Sequence, residues 1–246
     1  MADNDAARSA PVTMMDQRYC IYFVPAADTM LYRFGAAVLG YDCFTGADFP
    51  TLDALPVDAY TWRKLTREPR RYGFHATLKA PFRLAVGRTE AELIGEFEEF
   101  ARTIDVAPTI EPAVRLLQRF VAIVPVTAPP GLGRLAASCV AHFDGFRATQ
   151  TDADRIRRLA AHLTARQIEH VERWGYPYVF EDFRFHMTLT GALSADCQKP
   201  LLQYLRDGLA RSHGDGSISI DRLALLRQDN PGARFVVLTH SAIGQF

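Results

Sequence analysis

Apolar and polar positions along the chain follow two rhythms, short β-rich runs of period two and longer stretches with apolar residues every three or four positions. Residues 19–24 form the first β-rich run, ended by Pro25, and residues 29–39 follow with Leu31, Phe34, Ala37 and Val38 at helical spacing until Gly40. Residues 41–70, broken by Pro, Asp and Thr, read as a loop with one helical turn. Residues 72–82 return to a strand. Thr89 and Glu92 make a capping box, and Leu93, Phe97, Phe100, Ala101 and Ile104 form one stripe on the helix it opens. Strands are expected at 110–117 and 120–126, and a helix opens at Pro129-Pro130 and runs to about residue 143. One long helix is expected at 152–174, with Ile156, Leu159, Ala160, Leu163, Val171 and Trp174 inward. A strand at 183–190, a helix at 201–209 and a hairpin of 218–226 with 235–239 around Asp229-Asn230-Pro231-Gly232 complete the chain. Residues 1–17 are polar and rich in Ala and Ser; they read as a disordered tail, with Met14 and Met15 as alternative starts.

The two halves repeat. His75-Ala76-Thr77-Leu78 stands 111 residues before His186-Met187-Thr188-Leu189, and each string leads from a strand into an amphipathic helix and then a strand pair. Leu116-Leu117-Gln118-Arg119-Phe120-Val121 is answered by Leu225-Leu226-Arg227 and Arg234-Phe235-Val236. Chance is a weak explanation, since two His-apolar-Thr-apolar quartets in this composition come to about one in 200. The pattern predicts an α+β fold in which residues 18–246 form one bilobal, duplicated domain. Its pseudo-repeats lie at about 72–127 and 183–240, with two antiparallel sheets and flanking helices around a central cleft.

Composition narrows the function. Apolar residues make up 48% of the chain and charged residues 23%, as in a soluble globular domain. The 28 Lys and Arg balance the 28 Asp and Glu, so no global field gathers polyanions and any phosphate must be held locally. Cys20, Cys43, Cys139 and Cys197 are spaced without a CxxC pair and read as reduced thiols, and no apolar run spans a bilayer; a cytoplasmic location is expected.

Strand geometry gives the quartets their chemistry. Side chains alternate faces, so His75, Thr77 and Lys79 are expected on one face and His186, Thr188 and Thr190 on the corresponding one, while Ala76, Leu78, Met187 and Leu189 anchor each strand. A cleft holding both faces has two imidazoles, one to act as base and one as acid, and hydroxyls to donate to phosphate oxygens. That suits cleavage of a phosphodiester without a metal or other cofactor. Lys79 and Thr190 are further candidate phosphate contacts, and Arg71 and Arg184 share the parity but lie farther out.

The strings Arg71-Tyr-Gly-Phe-His-Ala-Thr-Leu-Lys-Ala-Pro-Phe82 and Phe183-Arg-Phe-His-Met-Thr-Leu-Thr-Gly191 resemble the paired motifs of the two-histidine phosphoesterase superfamily, which includes RNA 2′,3′-cyclic phosphodiesterases. They are most similar to a bacterial subfamily associated with phosphonate operons. The resemblance, from about Arg18 onward, implies a bilobal α+β fold, metal-independent cyclic phosphodiesterase activity, catalytic roles for His75 and His186 and phosphate contacts from Thr77 and Thr188. The 111-residue spacing exceeds that of the small RNA-processing members, chiefly through residues 152–174. A small sugar or nucleotide cyclic phosphate is therefore the expected partner, linked to phosphonate breakdown; RNA is a lesser candidate, and a non-catalytic phosphometabolite- or RNA-binding module is the rival reading.

Other features read as structural. Gly131-Leu132-Gly133 is a helix-entry turn, and His162 and His170 match no metal spacing. His142, His213 and His240 have no ligand partners nearby in sequence. Arg155, Arg157 and Arg158 could touch an anionic substrate, but they share a helix with Asp152, Asp154, Glu169 and Glu172 and read as a solvated face. Tyr22, Tyr72 and Trp174 could stack on a base but read as core or cleft-edge packing.

Overall fold

The computed structural model describes residues 17–160 and 162–244. The expected tail lies, apart from Gln17, outside the described residues. The chain runs through β1 (Arg18–Phe23), α1 (Met30–Leu39), α2 (Ala59–Leu65), α3 (Arg67–Arg70), β2 (Ala76–Phe82), α4 (Glu90–Arg102), β3 (Thr109–Ile110), β4 (Pro112–Leu117) and β5 (Phe120–Pro125). It continues through α5 (Pro130–His142), α6 (Asp152–Leu159), α7 (Ala165–Trp174), β6 (Met187–Thr188), α8 (Ala195–His213), β7 (Ile218–Ser219), β8 (Arg222–Gln228) and β9 (Val236–Ala242).

Strand, helix, strand, strand pair occurs twice, as β2-α4-β3-β4-β5 and as β6-α8-β7-β8-β9. The two antiparallel sheets expected are present in unequal form. Seven strands join in the order β4-β5-β6-β2-β1-β8-β9, and β3 pairs with its counterpart β7. Each half's motif strand therefore stands next to the other's, with the first half's hairpin, β4-β5, bonded to the second half's motif strand. The duplicated halves share one sheet rather than holding one each.

Local sequence explains most boundaries. Thr29 caps α1 and Gly40 ends it in the left-handed conformation at φ +66°. Thr89 and Glu92 form the expected capping box of α4. Three expectations are corrected. Residues 41–70 contain two short helices rather than one turn: Asp58 caps α2, and Trp62 is buried, its Nε1–H donating to Val38 O at 3.0 Å. The expected long helix is two helices, α6 ending at Leu159 and α7 starting at Ala165, because Thr164 and Gln167 make a second capping box that starts α7 afresh. With the break, Ile156 points outward at 66% exposure. The strand at 183–190 shrinks to Met187–Thr188. Beyond it the Thr190 hydroxyl, rather than a backbone carbonyl, takes the Val121 N–H at 3.0 Å, while Val121 O accepts from both Leu189 N and Thr190 N.

The back of the two motif strands is core. Ala76, Leu78, Met187 and Leu189 are fully or almost fully buried, α5 lies against β2, and α8 packs against α1 and β4. Phe74, next to His75, has no exposed surface and lies flat on Gly35 of α1. A Cβ on Gly35 would fall inside the contact distance of the Phe74 ring. Gly35→Ala would gain about 0.5–1 kcal/mol of helix propensity, but overpacking a buried ring costs about 1–3 kcal/mol. The expected outcome is a net loss of about 1–2 kcal/mol, read as a lower urea midpoint; an unchanged or higher midpoint would refute this packing account.

Candidate active site

One register pair assembles the site. Ala76 of β2 stands opposite Met187 of β6 in antiparallel sense. Carrying that register one residue each way sets His75 opposite Thr188 and Thr77 opposite His186, all on the face turned from the core. The four side chains form a square with the two imidazoles on one diagonal, where antiparallel neighbours are about 7–8 Å apart. A tetrahedral phosphorus fits between them with an imidazole on either side.

The square lies in a cleft of about 710 Å³ lined by His75, Thr77, His186, Thr188 and, at its floor, Thr190. Both imidazoles are held in one tautomer by the carbonyl two residues upstream: His75 Nδ1 donates to Gly73 O at 2.8 Å and His186 Nδ1 to Arg184 O at 2.8 Å. A carbonyl only accepts, so Nδ1 keeps its proton and Nε2 is the working nitrogen in each ring. His75 Nε2 accepts from the Thr77 hydroxyl at 3.2 Å. Here the likeness ends. The His75 ring is stacked on Tyr22 at 3.8 Å, whereas His186 has Phe120 at 5.9 Å and a 59° tilt. Burial pushes the His75 pKa down to about 4, with the neighbouring His186 adding to the shift against the Gly73 carbonyl. His75 is neutral at pH 7.

Two candidate phosphate contacts are placed differently. Lys79 is not in the cleft. Tyr22 pairs with Thr77, but Ile21 pairs with Lys79, so Leu78 and Lys79 both stand opposite Ile21 in a β-bulge. The extra residue inverts the alternation and turns Lys79 inward, where it is 3% exposed, donates to Val140 O at 2.9 Å and lies 3.8 Å from Asp144. Burial lowers its pKa to about 8. Thr190 reaches the cleft floor, but its hydroxyl is committed, accepting from Val121 N and donating to Gly191 O at 2.9 Å. It fixes the end of β6.

Other residues come to the cleft besides the two quartets. Arg18, Arg83, Arg157 and Arg158 line it, as do Tyr22, Tyr72 and Tyr176; Arg71 lines it beside Glu68, whereas Arg184 does not. Trp174 packs on Phe180 instead. Arg157 and Arg158 belong to α6, whose inward side carries Asp154 and Arg158 four residues apart, a spacing that marks one helix face. Among the described residues no cluster of three or more His, Cys, Asp and Glu side chains could hold a metal ion, and no helix is long and apolar enough to cross a membrane.

The family described as "Protein of unknown function (DUF1045)" matches residues 77–236. Two curated relatives carry the name ribose 1,5-bisphosphate phosphokinase PhnN. That of Janthinobacterium sp. (strain Marseille) is 36% identical over 240 residues, covering 94% of this chain and 53% of its own length. That of Laribacter hongkongensis (strain HLHK9) is 33% identical over 226 residues, covering 89% and 50%. The chain thus spans about half the length of these relatives. Among solved structures, E. coli LigT complexed with 3′-AMP is similar at a TM-score of 0.42 and 15% identity, covering 94% of this chain and 99% of that one. A structure described as a phosphoesterase is similar at 0.39 and 11%, with 94% and 99% covered.

The depressed His75 pKa couples the site to stability. The folded value near 4 lies below the ordinary value of about 6.5, so the unfolded chain binds the extra proton between the two. The stability His75 contributes is complete above about pH 6.5 and lost as the pH falls toward 4, by up to about 3 kcal/mol. His75→Gln should flatten that part of the curve of unfolding free energy against pH. An equal slope in both proteins would show that His75 does not titrate as stated.

Proposed function

The chain belongs to the DUF1045 family, and from that membership and its cleft we propose that it is a metal-independent phosphoesterase that opens a small sugar or nucleotide cyclic phosphate. The observation that carries this reading is the Ala76–Met187 register, which gives the cleft two histidines across a diagonal and two threonines on the other.

His75, neutral at pH 7 with its Nε2 lone pair toward the cleft, takes a proton from water as the water oxygen bonds to phosphorus. The bond from phosphorus to one ring oxygen breaks, and that oxygen takes a proton from His186 Nε2. Protons and charge balance, and the pair ends with its roles exchanged until solvent resets it. Thr77 and Thr188 donate to the non-bridging oxygens, Thr77 turning its hydroxyl from His75 Nε2 to phosphate when substrate arrives.

The relatives support a sugar phosphate as the substrate class. Their name gives them a ribose 1,5-bisphosphate kinase activity, and this chain matches about half of each. The string G-x-x-x-x-G-K-[ST], with which many kinases cradle nucleotide phosphates, does not occur in it. Ring opening of a phosphorylated ribose cyclic phosphate yields a ribose bisphosphate, so a hydrolytic step joined to a kinase in one polypeptide is chemically coherent. The phosphonate context of the resemblance points the same way.

The test is turnover of a panel of 2′,3′-cyclic nucleotides and pentose cyclic phosphates in the presence of chelator, followed by phosphorus NMR. Ring opening with a bell-shaped pH profile is expected, and His75→Ala and His186→Ala should each lower the rate by about 10²–10⁴. Full activity in either variant would overturn the mechanism, and binding without ring opening across the panel would make the protein a phosphometabolite-binding module.

A further inference from the structure

The far end of the cleft is lined by Arg18 from β1, Arg83 just beyond β2, and Arg157 and Arg158 from α6. One carboxylate serves two of them. Asp154 accepts from Arg83 at 2.5 Å and from Arg157 at 2.7 Å. Arg18 donates to a neutral partner, Gln228 Oε1, at 2.8 and 2.5 Å. Arg158 lies 5.2 Å from the centre of the Tyr176 ring and, among the described residues, makes no hydrogen bond or ion pair; its Nε is buried without a partner. Burial draws both Arg18 and Arg158 below the ordinary arginine range; Arg157 adds to both shifts and Arg18 to that of Arg158, while Tyr176 and Asp154 oppose the shift of Arg158.

A part-buried guanidinium that faces other guanidiniums and has no carboxylate in contact with it is destabilising by itself. The arrangement has a reason if an anion completes it. We propose that Arg158 and Arg18 form a second phosphate subsite, which holds a terminal phosphate monoester of the substrate while its cyclic phosphate lies at the His75–His186 square. The proposal rests on the reading of that square as the reacting centre. It narrows the substrate to a compact molecule with two phosphate groups.

Aromatic side chains line the cleft at both ends. Tyr22 stacks on His75 and Tyr72 lies 6.0 Å from it, while Tyr176 lies 5.2 Å from the Arg158 guanidinium. A sugar between the two phosphates would lie among these rings. Forked guanidinium donors match the oxygens of a phosphate dianion, and a single cyclic diester with one charge would leave Arg158 as unpaired as it now is. Since Asp154 already pairs with Arg83 and Arg157, and Arg71 with Glu68, Arg18 and Arg158 are the cleft arginines with no carboxylate partner among the described residues.

The first arm of the test is binding and does not depend on turnover. Ribose 5-phosphate, which has a monoester and no cyclic phosphate, is titrated calorimetrically into the protein and its variants. Arg158→Met should weaken it about 10- to 100-fold, Arg158→Lys less, and His186→Gln less than about twofold. Far-UV circular dichroism and a urea midpoint establish that each variant is folded, and Arg18→Gln, expected to show the same loss, replaces Arg158→Met should the latter not fold. Binding within twofold of the native protein in folded Arg158→Met, or an equal loss in His186→Gln, would overturn the subsite. The second arm compares KM for a nucleoside 2′,3′-cyclic phosphate with and without a 5′-phosphate: the preference for the 5′-phosphorylated compound should collapse toward one in Arg158→Met. Should no cyclic phosphate be opened by the native protein, the ring-opening reading fails while the first arm still decides the subsite.

Discussion

Two strands that lie more than a hundred residues apart in the chain meet in the middle of the seven-stranded sheet through a single register pair, Ala76 with Met187, and the whole face of the cleft depends on that pairing. Because side chains alternate with a period of two, a slip of one residue would carry His186 and Thr188 into the core and bring Met187 and Leu189 out. β6 is only two residues long and cannot hold its register alone. It is pinned from its other edge by β5, with Thr188 opposite Ala122 and Met187 opposite Ile123, and beyond its end by the Thr190 hydroxyl on Val121 N. The β3–β7 pair ties the two halves together a second time. The square of two histidines and two threonines is thus fixed by hydrogen bonds made largely outside it.

What could be read from the sequence was whatever repeats at short range. The two quartets, the Thr89–Glu92 capping box, the Gly40 stop and the order of elements in both halves are local patterns, and each has its counterpart in the fold. Lys79 was out of reach for a physical reason: alternation counts residues, and a bulge inserts one that neither composition nor periodicity records. The break between α6 and α7 was present in the sequence as Thr164-x-x-Gln167, but a run of apolar residues at helical spacing masked it. Arg158 was hidden by its company. Acidic neighbours on the same helix read as a solvated surface, and only the folded chain sets Asp154 against Arg83, leaving Arg158 turned to the cleft without it.

The balanced charge of the chain takes on a local meaning in the same light. A net charge of zero gives no long-range attraction for anions, and the cleft compensates with five arginines against two carboxylates, Glu68 and Asp154, among its lining residues. Such a field is short-ranged at physiological ionic strength, where screening acts over about 8 Å. It captures a small phosphorylated molecule already in the cleft better than it recruits a long polyanion to the surface.

Duplication supplies two equivalent histidines, whereas hydrolysis needs two different ones. The backbone treats them alike: each Nδ1 is tied to the carbonyl two residues upstream, and each Nε2 faces the cleft. Their surroundings do not. Tyr22, itself buried, closes over one face of His75 and removes water from it, so the imidazolium form is disfavoured there. Among the described residues His186 has no such stacked ring; its neighbour Phe120 stands off and tilted at a hairpin turn. In the proposed reaction this symmetric frame aligns both nitrogens on one phosphorus, and the poor solvation of His75 lets it start without a proton. Within this scheme the direction of attack follows as well: water must approach from the His75 side and the departing oxygen must leave toward His186.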